Sequence, residues 1–78
     1  MPHVIVKLWP GRSEEQKKAL AQKIVESMKE TLAAEEKSIS VSFEEVPKEN
    51  WTQQVYKPDI MAKEDLLYIK PGYKPTDL

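Results

Sequence analysis

The sequence predicts an α+β fold of the β-α-β kind: two parallel strands joined by a crossover helix, with the sheet completed by oligomerisation. Three observations predict it. A β-branched alternating segment comes first, a capped segment with a four-residue apolar repeat follows, and a second alternating segment comes third. Strand, long helix and strand in that order make the strands parallel and the crossover right-handed.

The first strand is expected over Pro2 to Leu8, with Val4, Val6 and Leu8 on one face and His3, Ile5 and Lys7 on the other. Pro2 cannot donate to a sheet ladder, and the start of a strand is where that is tolerated. Trp9-Pro10-Gly11-Arg12 then supplies loop chemistry. Ser13-Glu14-Glu15-Gln16 has the form of a capping box, and its two acids fall where the helix dipole favours them. Leu20, Ile24, Met28 and Leu32, flanked by Ala21 and Val25, predict a buried stripe on a helix from about Ser13 to Ala33. The second strand is expected over Ser38 to Val46, with Ile39, Val41 and Phe43 on one face. Pro47 stops it. Beyond lie a polar turn at Lys48-Glu49-Asn50, then Trp51, a short helix from Asp59 to about Asp65, a short strand at Leu66 to Ile69 and a turn at Pro71-Gly72-Tyr73. The ending Lys74 to Leu78 is expected to be loose. The chain thus reads as one domain over residues 1–78, a βαβ core over 2–51 and a C-terminal extension over 52–78.

Composition removes several classes of function. Twelve Lys and Arg against 13 Asp and Glu give a net charge of −1, which lacks the basic face of a nucleic-acid binder. No uncharged apolar run approaches the length of a membrane span, and Lys7 and Pro10 interrupt any leader-like segment after Val4-Ile5-Val6. With no cysteine there is no disulfide or thiolate metal site, and one histidine cannot form a His cluster. The expectation is a soluble cytoplasmic protein with no nucleic-acid or membrane partner. At 78 residues a lone core is marginal, because so short a chain buries only about 60–65% of its unfolded surface. Two strands under one helix cannot close a core, so the missing sheet is expected from a second copy of the chain or from its last 30 residues.

Few residues can carry chemistry. Gly11 and Gly72 are the only glycines, which removes the nucleotide-binding loops. Met1-Pro2 is a start from which methionine is normally trimmed, leaving a secondary amine. An α-amino group has a reference pKa of about 7.7–8.0, near where a proton-transfer base is most useful. Met-Pro is also a common, inert beginning. Arg12 has the planar fork that holds a carboxylate, or else it pairs with Glu14 or Glu15. Trp51, Trp9, Tyr56, Tyr68 and Tyr73 read as core or interface aromatics, and His3 as a strand residue facing solvent or a neighbouring subunit.

In combination, Pro2 opening a βαβ unit, Gly11-Arg12-Ser13-Glu14-Glu15-Gln16-Lys17 at the helix entry and the second strand resemble the 4-oxalocrotonate tautomerase family. The resemblance runs from Pro2 to about Trp51. The longer C-terminal third, with Lys70-Pro71-Gly72-Tyr73, is similar to the PptA-like subgroup of phenylenolpyruvate tautomerases. It implies protomers assembled as dimers or trimers of dimers, with the long tail favouring a homodimer over a hexamer. It implies Pro2 as general base and Arg12 as carboxylate holder. Trp51 becomes the apolar wall, and no cofactor or metal takes part. Members acting on dicarboxylates carry a second arginine where Ser40 stands, so Ser40 becomes a substrate-orienting candidate. One carboxylate and an apolar tail, as in a 2-hydroxy-dienoate or an aryl enolpyruvate, suit this set. The alternatives are hydration or dehalogenation of an unsaturated acid, Pro2 as an iminium-forming nucleophile, and a non-catalytic oligomer of the same fold.

Overall fold

The structure is a computed structural model that describes residues 1–78. Its regular elements begin with β1 (His3–Leu8), α1 (Glu14–Leu32) and β2 (Ser40–Glu45), with a 3₁₀ turn at Glu36–Ser38 before β2. A helical turn α2 (Lys48–Trp51) runs directly into a wider π-helical stretch over Thr52–Met61, and 3₁₀ turns at Glu64–Leu66 and Pro75–Asp77 follow. The chain forms two compact units, Met1–Glu45 and Val46–Leu78.

In the first unit β1 and β2 pair in parallel, with His3 opposite Ser40, Val4 opposite Val41, Val6 opposite Phe43 and Leu8 opposite Glu45. Paired residues share a face. One face therefore carries Val4, Val6, Val41 and Phe43, and the other His3, Ile5, Ser40 and Ser42. The predicted βαβ order and strand faces are both present. Ser38 is not yet strand: its amide and its hydroxyl both donate to the Glu35 carbonyl, at 3.0 and 2.8 Å, closing the turn that delays β2.

α1 starts where its capping box places it. Ser13 Oγ accepts from the Gln16 amide at 3.1 Å, and Gln16 Oε1 accepts from the Ser13 amide at 2.9 Å. Ala21, Ile24, Val25 and Met28 are half-buried, as the stripe requires. Leu32, 61% exposed, and Leu20, 44% exposed, are not the buried ends that the repeat predicts. For Leu32 the reason is length: a helix of 19 residues spans about 28 Å, whereas strands of six residues span about 20 Å. Leu20 instead faces an open cleft beside Leu8 and Phe43.

The second unit departs furthest from expectation. Lys48 to Asn50 is helical rather than a turn. Pro58 lies inside the helical stretch instead of preceding a new helix at Asp59. A proline has no N–H to give and its ring crowds the preceding turn, and a wider helical turn relieves that clash. The amide of Ala62 accordingly reaches five residues back, to the Lys57 carbonyl at 2.9 Å. Leu66 to Ile69 forms no strand, since no neighbouring strand offers it a ladder. The tail, expected to be loose, folds into a local 3₁₀ turn over Pro75–Asp77, in which Asp77 Oδ2 accepts the Lys74 amide at 2.8 Å.

α1 closes on Ala33, whose φ of 55° lies in the left-handed region. A Cβ there costs about 1–2 kcal/mol, against about 0.4–1 kcal/mol of extra chain entropy for glycine. Ala33→Gly should raise stability by a few tenths to about 1 kcal/mol, read as a shift in the urea midpoint at fixed protein concentration.

Candidate active site

Parallel pairing in register sets the head of β1 beside the head of β2. The Pro2 carbonyl accepts the Ser40 amide at 3.2 Å, which anchors Pro2 at the start of the ladder. Pro2 is half-buried, and Met1, which acylates its nitrogen, is fully exposed. On the face without α1, Ser40 Oγ lies 2.6 Å from His3 Nδ1. Pro2, His3 and Ser40 are thus brought together by backbone pairing alone.

Arg12 stands elsewhere. Gly11, at φ +122°, turns the chain in a conformation that side chains rarely adopt, and Arg12 follows it into the helix entry. There Arg12 lines a small cleft of about 130 Å³ with Leu8, Gln16, Lys17, Leu20 and Phe43. Leu8 ends β1 and His3 begins it, so this cleft lies a full strand length, about 20 Å, from the Pro2 end of the same protomer. Beside Arg12, the Lys17 ammonium is held by Glu14 at 3.1 Å and by Glu45 at 3.3 Å. Lys17, which lines the cleft, is therefore committed to an acid pair.

Trp51 belongs to the second unit. Its indole Nε1–H donates to Tyr73 Oη at 2.8 Å, and the Tyr73 ring lies 5.6 Å from that of Tyr56, tilted by 55°. A groove of about 270 Å³ is lined there by Tyr56, Ile60, Met61, Leu67, Pro71 and Tyr73, among others. Sequence reasoning named Pro2, Arg12, Ser40 and Trp51 but not the partners that fix two of them, His3 for Ser40 and Tyr73 for Trp51. The first was accessible: aligning the starts of the two strands puts position 3 opposite position 40. The second carried no local signal, because 22 residues separate Trp51 from Tyr73.

A short βαβ unit with a proline at its head and an arginine at its helix entry is the setting for a comparison with known proteins. The family model described as "Tautomerase enzyme" matches residues 2–57. A probable tautomerase of Xylella fastidiosa (strain 9a5c) is 42% identical over 73 residues, covering 94% of this chain and 89% of that protein. Tautomerase PptA of Pectobacterium carotovorum subsp. carotovorum (strain PC1) is 39% identical, covering 94% of this chain and 97% of that one. Among solved structures, YwhB, a homologue of 4-oxalocrotonate tautomerase, superposes with a TM-score of 0.62 at 32% identity, over 99% of this chain and 98% of its own. The chain belongs to the tautomerase family, with the β-α-β fold of that family. It is accordingly an isomerase with tautomerase activity. No helix is long and apolar enough to cross a membrane.

The two carboxylates around Lys17 raise its pKa above the ordinary lysine value of 10.5, with the Glu14 hydrogen bond the larger cause and Glu45 next. A raised folded pKa means that the contribution to stability is fully present below the unfolded value and disappears as pH climbs through the folded one. Stability should therefore fall as pH rises past 10.5, and the Lys17→Met variant should lose less over that range, as thermal unfolding midpoints would show.

Proposed function

We propose that the chain is a cofactor-independent enol–keto tautomerase in which Pro2, freed of Met1, is the general base. The observation that carries this reading is the arrangement at the head of β1. Met1 is wholly exposed to a processing peptidase, while the Pro2 carbonyl is held by the Ser40 amide. Removing Met1 would leave a secondary amine on a fixed backbone.

The neutral nitrogen takes the proton of the enol hydroxyl as the oxygen becomes a carbonyl, and the resulting prolinium N–H delivers a proton to the adjacent carbon. One O–H bond is lost and one C–H bond gained, with no change in oxidation state and no further reagent. Charge that develops on the substrate needs a cation, and Arg12 is the candidate. Since Arg12 of the same protomer lies at the other end of β1, the cation beside Pro2 is assigned to Arg12 of a second copy. Two copies with their first strands side by side and antiparallel bring the head of one to the tail of the other. The first unit supports such pairing: it contains no fully buried residue, the only two buried apolar side chains being Val46 and Val55 of the second unit. A homodimer is the assembly proposed, with Trp51 as an apolar wall of the site.

One guanidinium and an apolar aromatic suit an enol acid with one carboxylate and an apolar tail, of the 2-hydroxy-dienoate or aryl enolpyruvate type. Ser40 supplies no charge for a second carboxylate. Two outcomes are expected. Decay of the phenylenolpyruvate absorbance should be accelerated by protein whose intact mass lacks Met1, and Pro2→Ala should remove that acceleration; equal rates for the two would end the assignment of Pro2. Arg12→Ala should lower turnover by about 10²–10³, the loss typical of removing one donor to a developing charge worth about 2.7–4 kcal/mol.

A further inference from the structure

The exposed sheet face holds a pair that the proposed chemistry has not used. His3 and Ser40 are register partners at the first rung of the sheet, and their side chains meet at 2.6 Å, Nδ1 to Oγ. Ser40 is also the residue whose amide anchors Pro2. The imidazole is therefore one residue from the base and holds the hydroxyl nearest to it along the ladder.

We propose that His3 is a positioning residue that fixes the rotamer and polarity of the Ser40 hydroxyl, so that the pair forms a polar subsite for the substrate oxygen beside Pro2. A serine hydroxyl has one donor and two acceptor sites and turns freely unless a partner takes one of them. The enol proton goes to Pro2, so the state that serves the reaction is the one in which Nδ1–H donates to Oγ. The hydroxyl then turns its own proton outward and donates to the substrate oxygen as it becomes a carbonyl.

The inference rests on the reading of Pro2 as base, and the test separates the two. Kinetic constants for phenylenolpyruvate, together with thermal unfolding midpoints, would be measured for wild type, Pro2→Ala, Ser40→Ala, His3→Gln, His3→Asn and the Ser40→Ala/His3→Gln double variant. Asparagine places its amide where Nδ1 stands, whereas glutamine carries it to the position of Nε2. Ser40→Ala and His3→Gln should each lower kcat/KM on the order of ten-fold, a loss in keeping with one oriented hydrogen bond. The double variant should be no slower than either single one, and His3→Asn should stay within about two-fold of wild type. Additive losses, a fully active His3→Gln, an Asn variant no better than the Gln variant, or losses that follow a lowered unfolding midpoint would each overturn the role of His3. Activity that survives in Pro2→Ala would overturn the base assignment and this inference with it; Pro2-dependent activity indifferent to His3 would overturn this inference alone.

Discussion

Everything that matters in the first unit depends on the in-register parallel pairing of β1 with β2. Parallel strands cannot be joined by a tight turn, so the pairing demands a long crossover, and α1 is that crossover. Register then decides chemistry. With His3 opposite Ser40, the amide of residue 40 reaches the carbonyl of residue 2, and the only imidazole in the chain meets a hydroxyl. A slip of one residue would turn every side chain of one strand to the other face and separate these groups.

The same pairing explains why one protomer is an incomplete object. Two strands and one helix leave apolar surface in water: Ile5, on the face without α1, is 49% exposed, and Leu32 of α1 is 61% exposed. The arginine of the helix entry stands a strand length from the proline. Shortage of core and separation of the candidate groups are two results of one geometry. The proposed antiparallel association of two copies answers both.

Legibility in the sequence followed how local each signal was. β1, the Ser13 cap and β2 were readable because alternation, capping and helical repeat act over a few residues. Pro2, Arg12, Ser40 and Trp51 were nameable because each stands next to such a marker. Pro58 misled because a proline ordinarily ends a helix, and here the helix widens around it. Leu66 to Ile69 misled because an apolar run has strand character only where a partner exists. From sequence His3 reads as a strand residue facing solvent or a neighbouring subunit, since its bond to Ser40 spans 37 residues and follows from register, not from neighbours in the chain.

The segment after the Glu64–Leu66 turn has a consequence for the integrity of the protein. Tyr68 is fully exposed and Ile69 is 88% exposed, in a stretch without a helix or strand to shield its peptide bonds. An aromatic followed by an aliphatic in open backbone is a natural point for an endoprotease of chymotrypsin-like preference to cut. Cleavage after Tyr68 would detach residues 69–78 and with them Tyr73, the hydroxyl that receives the Trp51 indole proton. Nicking at one surface peptide bond would thus free the tryptophan proposed to line the pocket, so the life of the chain in a protease-rich extract also sets how long that wall stays in place.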